Sequence, residues 1–331
     1  MKKQVAPHIH TSLNISMIYP NALIALIPCF LASAFYHGIR AVVLILLAML
    51  LSALCDYTFV QIVRKERYVW EGSPLVSGAI LAMLLPPDTP IWMLMIGVFF
   101  SCTVVKQCFG GLGSNLFNPA LATKAFLTLM FPAMMSSFSD PIASRWQLSS
   151  LLFGASMAST PNQISSEVGL FELFSGRYAG SIGTTCAIAI LLGAVYLILT
   201  GLSRIQASLS YVLVLCGGYF LLTDPNLVSV EGMLRLLLTD GFLFVAVFAM
   251  SDYSTTPTTS FGRVLFGVGS GIFTILLVRF GNPMFAAVFP VLFMNAATPV
   301  IDLYIRPKIF GNSRRFSAKR FSVPATKERE V

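Results

Sequence analysis

Four stretches of the chain carry residue types that can do chemistry. Residues 106–122 read KQCFGGLGSNLFNPALA: a glycine-rich bend with Gly110 and Gly111, then Asn115 and Asn118, then a proline that opens a helix. Backbone N–H groups and amides gathered at a helix N-terminus can hold an anionic or polar ligand; a tight interhelical turn accounts for the same residues. No G-K-[ST] follows the glycines, so this is not a P-loop. Residues 250–272, MSDYSTTPTTSFGRVLFGVGSGI, set Asp252 beside Thr255, Thr256, Thr258 and Thr259 between two apolar runs. These groups can hydrogen-bond a heteroaromatic ring, line an ion route, or cap the next helix. In residues 176–198, GRYAGSIGTTCAIAILLGAVYLI, glycines 176, 180 and 183 at i, i+4, i+7 let a backbone or a flat cofactor approach a helix start, and helix packing explains them equally well. The fourth stretch is GASMASTPNQ, residues 154–163, whose hydroxyls Ser156, Ser159 and Thr160 precede a proline in the longest polar segment.

The elements that must position these residues are membrane helices. Of 331 residues, 56% are hydrophobic and 11% charged, with a mean hydropathy of +0.79; a soluble domain carries about 25% charged residues. A spanning helix needs roughly 20 apolar residues. That criterion predicts an all-α polytopic membrane protein with about ten spans: 20–36, 40–60, 73–86, 90–108, 119–136, 180–200, 206–223, 232–250, 262–280 and 284–303. The third ends in LLPPDTP and reads as a broken or partial span, which is tolerated only where protein or a cavity covers the freed backbone. Glycines 267, 269 and 271 favour close helix packing. The opening MKKQVAPHIHTSLNISMIYP is too polar for a signal-peptide core, so the first apolar run is expected to stay as a span.

Charge orients the bundle. Lys2, Lys3, Arg64, Lys65, Arg67, Lys106, Arg204, Arg263 and a tail with eight of the 22 Lys and Arg fall on one side. Arg40, Arg145 and Arg177, with Asp88, Asp140, Glu167, Glu172 and Asp224, fall on the other. By the positive-inside rule both termini face the cytoplasm and the loop 137–179 faces outward. The net charge of +8 is therefore a membrane-topology signal with lipid headgroups as partners, not a nucleic-acid surface. The chain divides into a cytoplasmic N-terminus (1–19), five spans (20–136), the outer loop (137–179), five more spans (180–305) and a basic tail (306–331). An odd number of spans per set inverts the second set. Likeness between SGAILAMLLPPDTP and FVAVFAMSDYSTTPTT, and between NLFNPALAT and LFMNAATPV, supports two inverted five-helix repeats.

Six scattered cysteines without a C-x-x-C pair argue against an iron–sulfur or zinc site, and His8, His10 and His37 are not placed as haem ligands. No embedded His or carboxylate pair is set for hydrolysis, so no catalytic residue and no metal is assigned. From the residues alone, the chain is a ten-span transporter or one component of a larger complex.

The motifs KQCFGGLGSNLFNPALA, GSIGTTCAIAILLGAVYLI, SDYSTTPTTSFGRVLFGVGSGIFTILLVRFGNP and LFMNAATPVIDLY together resemble the RnfD/NqrB family, the membrane flavoprotein subunits of ion-translocating respiratory oxidoreductases. That family has two branches, RnfD of the Rnf complex and NqrB of the sodium-pumping NADH:quinone reductase. The likeness runs from about residue 20 to 305, and the short N-terminus favours the Rnf branch. The resemblance implies a bacterial inner-membrane translocase subunit, not catalytic alone. It would work with the A, B, C, E and G components of an Rnf-type complex and relay electrons between ferredoxin- and NAD-linked partners while Na⁺ or H⁺ moves. It also implies FMN held through a phosphoester on a threonine in an S-x-A-T-type sequence, attached by a flavin transferase. Here Thr160 is the acceptor if the TP is aligned and Ser159 if the SMA is aligned. The family's upstream acidic residue is replaced by Gly154 or Phe153, and Thr184 stands where the family often has Glu; an unmodified loop is the alternative. A second, non-covalent flavin such as riboflavin is implied within the fold, with Gly110, Gly111, Asn115 and Asn118 as its contacts. Asp88 and Asp252 are the ionisable candidates for the ion pathway. The rival class is a secondary transporter or channel of ammonium- or urea-channel-like architecture with no redox group.

Overall fold

The computed structural model describes residues 15–138, 168–202, 205–223 and 229–305. The first apolar run forms α1, Ile15–His37, which turns at Gly38 into α2, Ile39–Phe59, whose last turn widens to a π-helix over Val60–Arg64. Helix α3, Ser73–Leu84, stops where Pro86 and Pro87 follow, since a proline pushes its predecessor to extended backbone and offers no N–H; Leu85 is extended. After that stretch come α4, Ile91–Phe99, continued as π-helix over Phe100–Gln107, then α5, Pro119–Met130, and the single turn α6, Pro132–Met135. Within the segment 137–179 lies α7, Leu170–Ser175, and after it come α8, Ala187–Leu199, and α9, Ile205–Leu222. Next are α10, Val230–Leu238, and α11, Phe242–Phe244, prolonged as π-helix over Val245–Ala249. The last three are α12, Ser260–Phe280, α13, Pro283–Ala286, and α14, Phe289–Tyr304. No strand occurs among the described residues.

Among the described residues, five helices are long and apolar enough to cross a bilayer: Met17–His37, Ile39–Arg64, Ile205–Leu222, Ser260–Phe280 and Pro283–Tyr304. A sixth follows if α10 and α11 form one span bent by 66°. The expected spans 73–86, 90–108, 119–136 and 180–200 hold the shorter apolar helices α3, α4 with its π-turn, α5 and α8. Hydropathy overstated their helical length for local reasons. Prolines stop α3, Pro132 follows the end of α5, and residues 176–186 form turns, with Gly176 at φ 97, before α8 begins. The glycines at i, i+4, i+7 therefore do not share a helical face.

Apolar side chains sit on both faces of the long helices. On α2, Leu44, Ala48 and Ser52 are buried while Leu46, Leu50 and Leu54 are exposed, the pattern of a helix with protein on one side and lipid on the other. Two short elements are interior: α3 is buried over Gly78–Leu84 and α11 over Phe242–Phe244. Broken backbone at membrane depth must have its polar groups satisfied by protein, and here the turn before α8 donates to carbonyls at the C-terminal end of α3. Ile182 N–H donates to the Leu85 carbonyl at 3.0 Å and Gly183 N–H to that of Met83 at 2.8 Å. Gly183 is needed for this approach, because a Cβ there would collide with the Met83 side chain. Gly267 and Gly271 let α12 press on α9, and Gly269 admits Met294 of α14, as the small-residue spacing predicts.

Candidate functional site

Two recesses occupy opposite ends of shared helices. A narrow lower cleft of about 70 Å³ is lined by Tyr19, Ser73, Leu112, Asn115, Asn118 and Asp252, among others. A larger upper cavity of about 440 Å³ is lined by Lys124, Phe138, Val168, Tyr178, Thr184 and Asp240, among others. Helix α3 runs from Ser73 at the cleft to Leu84 at the cavity, and α8 lies between Thr184 at the cavity and Leu197 and Leu202 at the cleft. Twelve residues of α3 rise about 18 Å, which sets the scale of the separation.

The lower cleft assembles two of the sequence-predicted stretches. Asn118 caps α5, its Oδ1 accepting from Ala120 N at 3.1 Å and Leu121 N at 3.3 Å. Its Nδ2 donates to Asp252 at 3.3 Å. The Asp252 carboxylate also accepts from Ser254 Oγ at 2.9 Å and Thr255 Oγ1 at 3.3 Å. Thr256 bonds the Asp252 carbonyl at 2.6 Å, Thr258 donates to Asp302, and Thr259 is the cap of α12. The cap reading therefore holds for Thr259, while Asp252 faces the cleft. Asn115 lines the cleft with its amide oriented so that the nitrogen meets the Gly111 carbonyl at 2.8 Å. Gly110 and Gly111 do not line it; at φ 116 and 91 they shape the bend, and Gly111 packs under the Arg64 guanidinium.

A buried network that sequence reasoning missed fixes this bend. Asp56 on α2 pairs with Lys106 at 3.0 Å and accepts from Gln107 and, at 3.4 Å, from Tyr68. Burial first, and the Asp56 charge second, push the Tyr68 phenol well above its ordinary range. Lys106 and Gln107 in turn hold the bend through their carbonyls, Gly111 N–H donating to Lys106 at 3.0 Å and Arg64 to Gln107 at 2.9 Å. The signal was present in the sequence: a carboxylate and an ammonium inside apolar runs are rarely unpaired. Charge counting places Lys106 among the solvent-facing residues that orient the chain, yet only 4% of its side chain is exposed.

Asp88 is likewise drawn inward. It lies in the bend after α3, buried, and its carboxylate meets Arg40 at 3.4 Å, so neither residue is a solvated loop charge. Thr184 reaches the upper cavity. Thr160, Ser159 and the rest of GASMASTPNQ lie outside the described residues, as do His8, His10 and the basic tail.

The upper cavity has the volume of a small-molecule site, for which about 300–1,000 Å³ is usual; the lower cleft is well below it. Phe138 and Val168, the described residues that flank the segment 139–167, both line the upper cavity.

Comparison with known proteins is consistent along the whole length. Residues 2–311 match the model of the NQR2, RnfD, RnfE family. The chain is 30% identical to the D component of the Na⁺-translocating ferredoxin:NAD⁺ oxidoreductase complex of Acetobacterium woodii, covering 92% of this chain and 94% of the relative. It is 30% identical to the D component of the proton-translocating ferredoxin:NAD⁺ oxidoreductase complex of Clostridium ljungdahlii (93% and 96% covered). It is 28% identical to the D component of an ion-translocating oxidoreductase complex of Shewanella frigidimarina (93% and 97%). With its broken helices, paired bends and two recesses, the chain belongs to the NQR2, RnfD, RnfE family.

Proposed function

We propose that the chain is the flavin-carrying membrane subunit, of the RnfD type, of an Rnf-type ion-translocating ferredoxin:NAD⁺ oxidoreductase. FMN is joined through a phosphoester to Thr160, or to the adjacent Ser159, after delivery by a flavin transferase. The observation that carries the proposal is the cavity of about 440 Å³ flanked by Phe138 and Val168, with Lys124 and the Gly180–Thr184 turn in its wall. Its size suits a tethered flavin, its wall offers one cation, Lys124, against one anion, Asp240, and a tether in the 139–167 segment would begin at its rim. Flavin chemistry is electron transfer in one- and two-electron steps, and the protein's part is position and electrostatic field.

Orientation follows the positive-inside rule, with both termini cytoplasmic and the upper cavity outward, in a bacterial inner membrane. The inverted-repeat reading gains support from the two matched bends. The one after α3 joins a helix that ends at the upper cavity, and the one after α11 lines the lower cleft at Asp252. Inverted repeats put equivalent bends on opposite sides. The lower cleft, with Asn115, Asn118 and Asp252, is assigned to a second, non-covalent flavin such as riboflavin; at 70 Å³ it must widen around Tyr19 and Leu112 to accept a ring. Asp252 is the better placed of the two ion-pathway candidates, because Asp88 is engaged by Arg40. The working unit includes the A, B, C, E and G components.

The test is a denaturing gel viewed under ultraviolet light, with the transferase co-expressed. The band of this protein should fluoresce and go dark in Thr160→Ala. Fluorescence lost only in Ser159→Ala would move the attachment by one residue. A dark wild-type band would favour a carrier or channel without a redox group.

A further inference from the structure

The wall of the upper cavity holds two charged side chains that neither the motifs nor the relatives' names assign. Lys124 lies near the middle of α5, half-buried, its exposed surface opening into the cavity. Asp240 lies in the bend between α10 and α11, also on the cavity. The two feel each other's charge, yet no ion pair within 4 Å joins them among the described residues. This contrasts with Arg40–Asp88 and Lys106–Asp56, where a buried cation has a carboxylate in contact. Asp240 has a left-handed backbone (φ 55), and Gly241 after it is left-handed as well (φ 79). The tight bend they form places Asp240, a solvent-exposed residue, on the cavity wall.

An ammonium kept at this depth without a contacting carboxylate is costly. It is compensated when something negative shares the cavity. Resting on the assignment of this cavity to the covalent FMN, we propose that Lys124 and Asp240 set that flavin's reduction potential in opposite senses. A flavin ring that takes up two electrons and one proton gains one net negative charge. The electrons come from the redox partners of the complex and the proton from bulk solvent. Lys124 stabilises the added charge and Asp240 opposes it; the half-buried Lys124 is the less screened of the two, and the solvent-exposed Asp240 acts more weakly.

The test uses the purified complex, with the covalent flavin counted by in-gel fluorescence and its midpoint potential read by spectroelectrochemical titration. Lys124→Met and Lys124→Gln, compared per covalent flavin counted, should titrate at a more negative potential. Lys124→Arg should stay close to wild type, and Asp240→Asn should titrate more positive. Opposite shifts are not what a loss of packing would give. Fluorescent variants that all titrate at the wild-type potential, or shift in the same direction, overturn the proposal and leave the flavin assignment intact. A wild-type protein without fluorescence overturns the assignment itself.

Discussion

Asn118 and Asp252, 134 residues apart, are joined by one hydrogen bond of 3.3 Å at the mouth of the lower cleft. One side chain thus caps α5 and holds the carboxylate of the other half of the chain. Asn118→Ala removes a cap worth about 1 kcal/mol and a bond to a charged acceptor worth about 1.5–3 kcal/mol. The variant should melt earlier in detergent and release less extractable flavin. Asn118→Asp keeps an acceptor for the cap but sets two carboxylates face to face, so it should lose the extractable flavin with a smaller loss of stability.

The Asp56–Lys106 pair makes the second prediction. Asp56→Ala leaves a buried ammonium without its partner, which costs about 3–5 kcal/mol. The loss should show as reduced assembly of the complex and a lower Tm. Because apolar replacement of both partners is often tolerated, Asp56→Leu with Lys106→Met should recover most of the loss. If the double variant is no better than the single ones, the pair has a role beyond holding the glycine bend.

Gly183 makes a third, purely steric one. A methyl group there collides with Met83 where the 182–183 turn donates its hydrogen bonds to the end of α3. Gly183→Ala should cost about 1–3 kcal/mol, the usual range for overpacking. Gly113, whose Cβ would meet nothing within 4 Å but whose φ is 86, separates backbone strain from crowding when substituted in parallel.

Ion coupling gives the fourth. In proteoliposomes driven by ferredoxin or NADH, Asp252→Asn should lose most ion uptake per electron transferred. Asp88→Asn should instead lower stability, since it weakens the pair with the buried Arg40. Equal coupling in Asp252→Asn and wild type would remove Asp252 from the pathway.

How much of the fold and the site is legible in the sequence follows from range. The stop of α3 is legible because Pro86 and Pro87 act on their immediate neighbours. The cap at Asn118 is legible for the same reason, an amide next to a helix-opening proline. Helix lengths are less so: an apolar window cannot tell a helix from the turns at 176–186, where Gly176 adopts a left-handed backbone. Pairings across the fold are not legible. An embedded Lys106 calls for a carboxylate, but nothing near it says which one, since Asp56 is fifty residues away, and Lys124 looks like one tolerated charge in an apolar run until the cavity beside it is known. The proposed attachment at Thr160 or Ser159 is legible only in its own residues, GASMASTPNQ.

The most direct measurement is the mass of the peptide covering residues 146–177, taken from the assembled, working complex. The account predicts a mass raised by one FMN less one water, with fragmentation placing it on Thr160 or Ser159. An unmodified peptide from a complex that still turns over would contradict it.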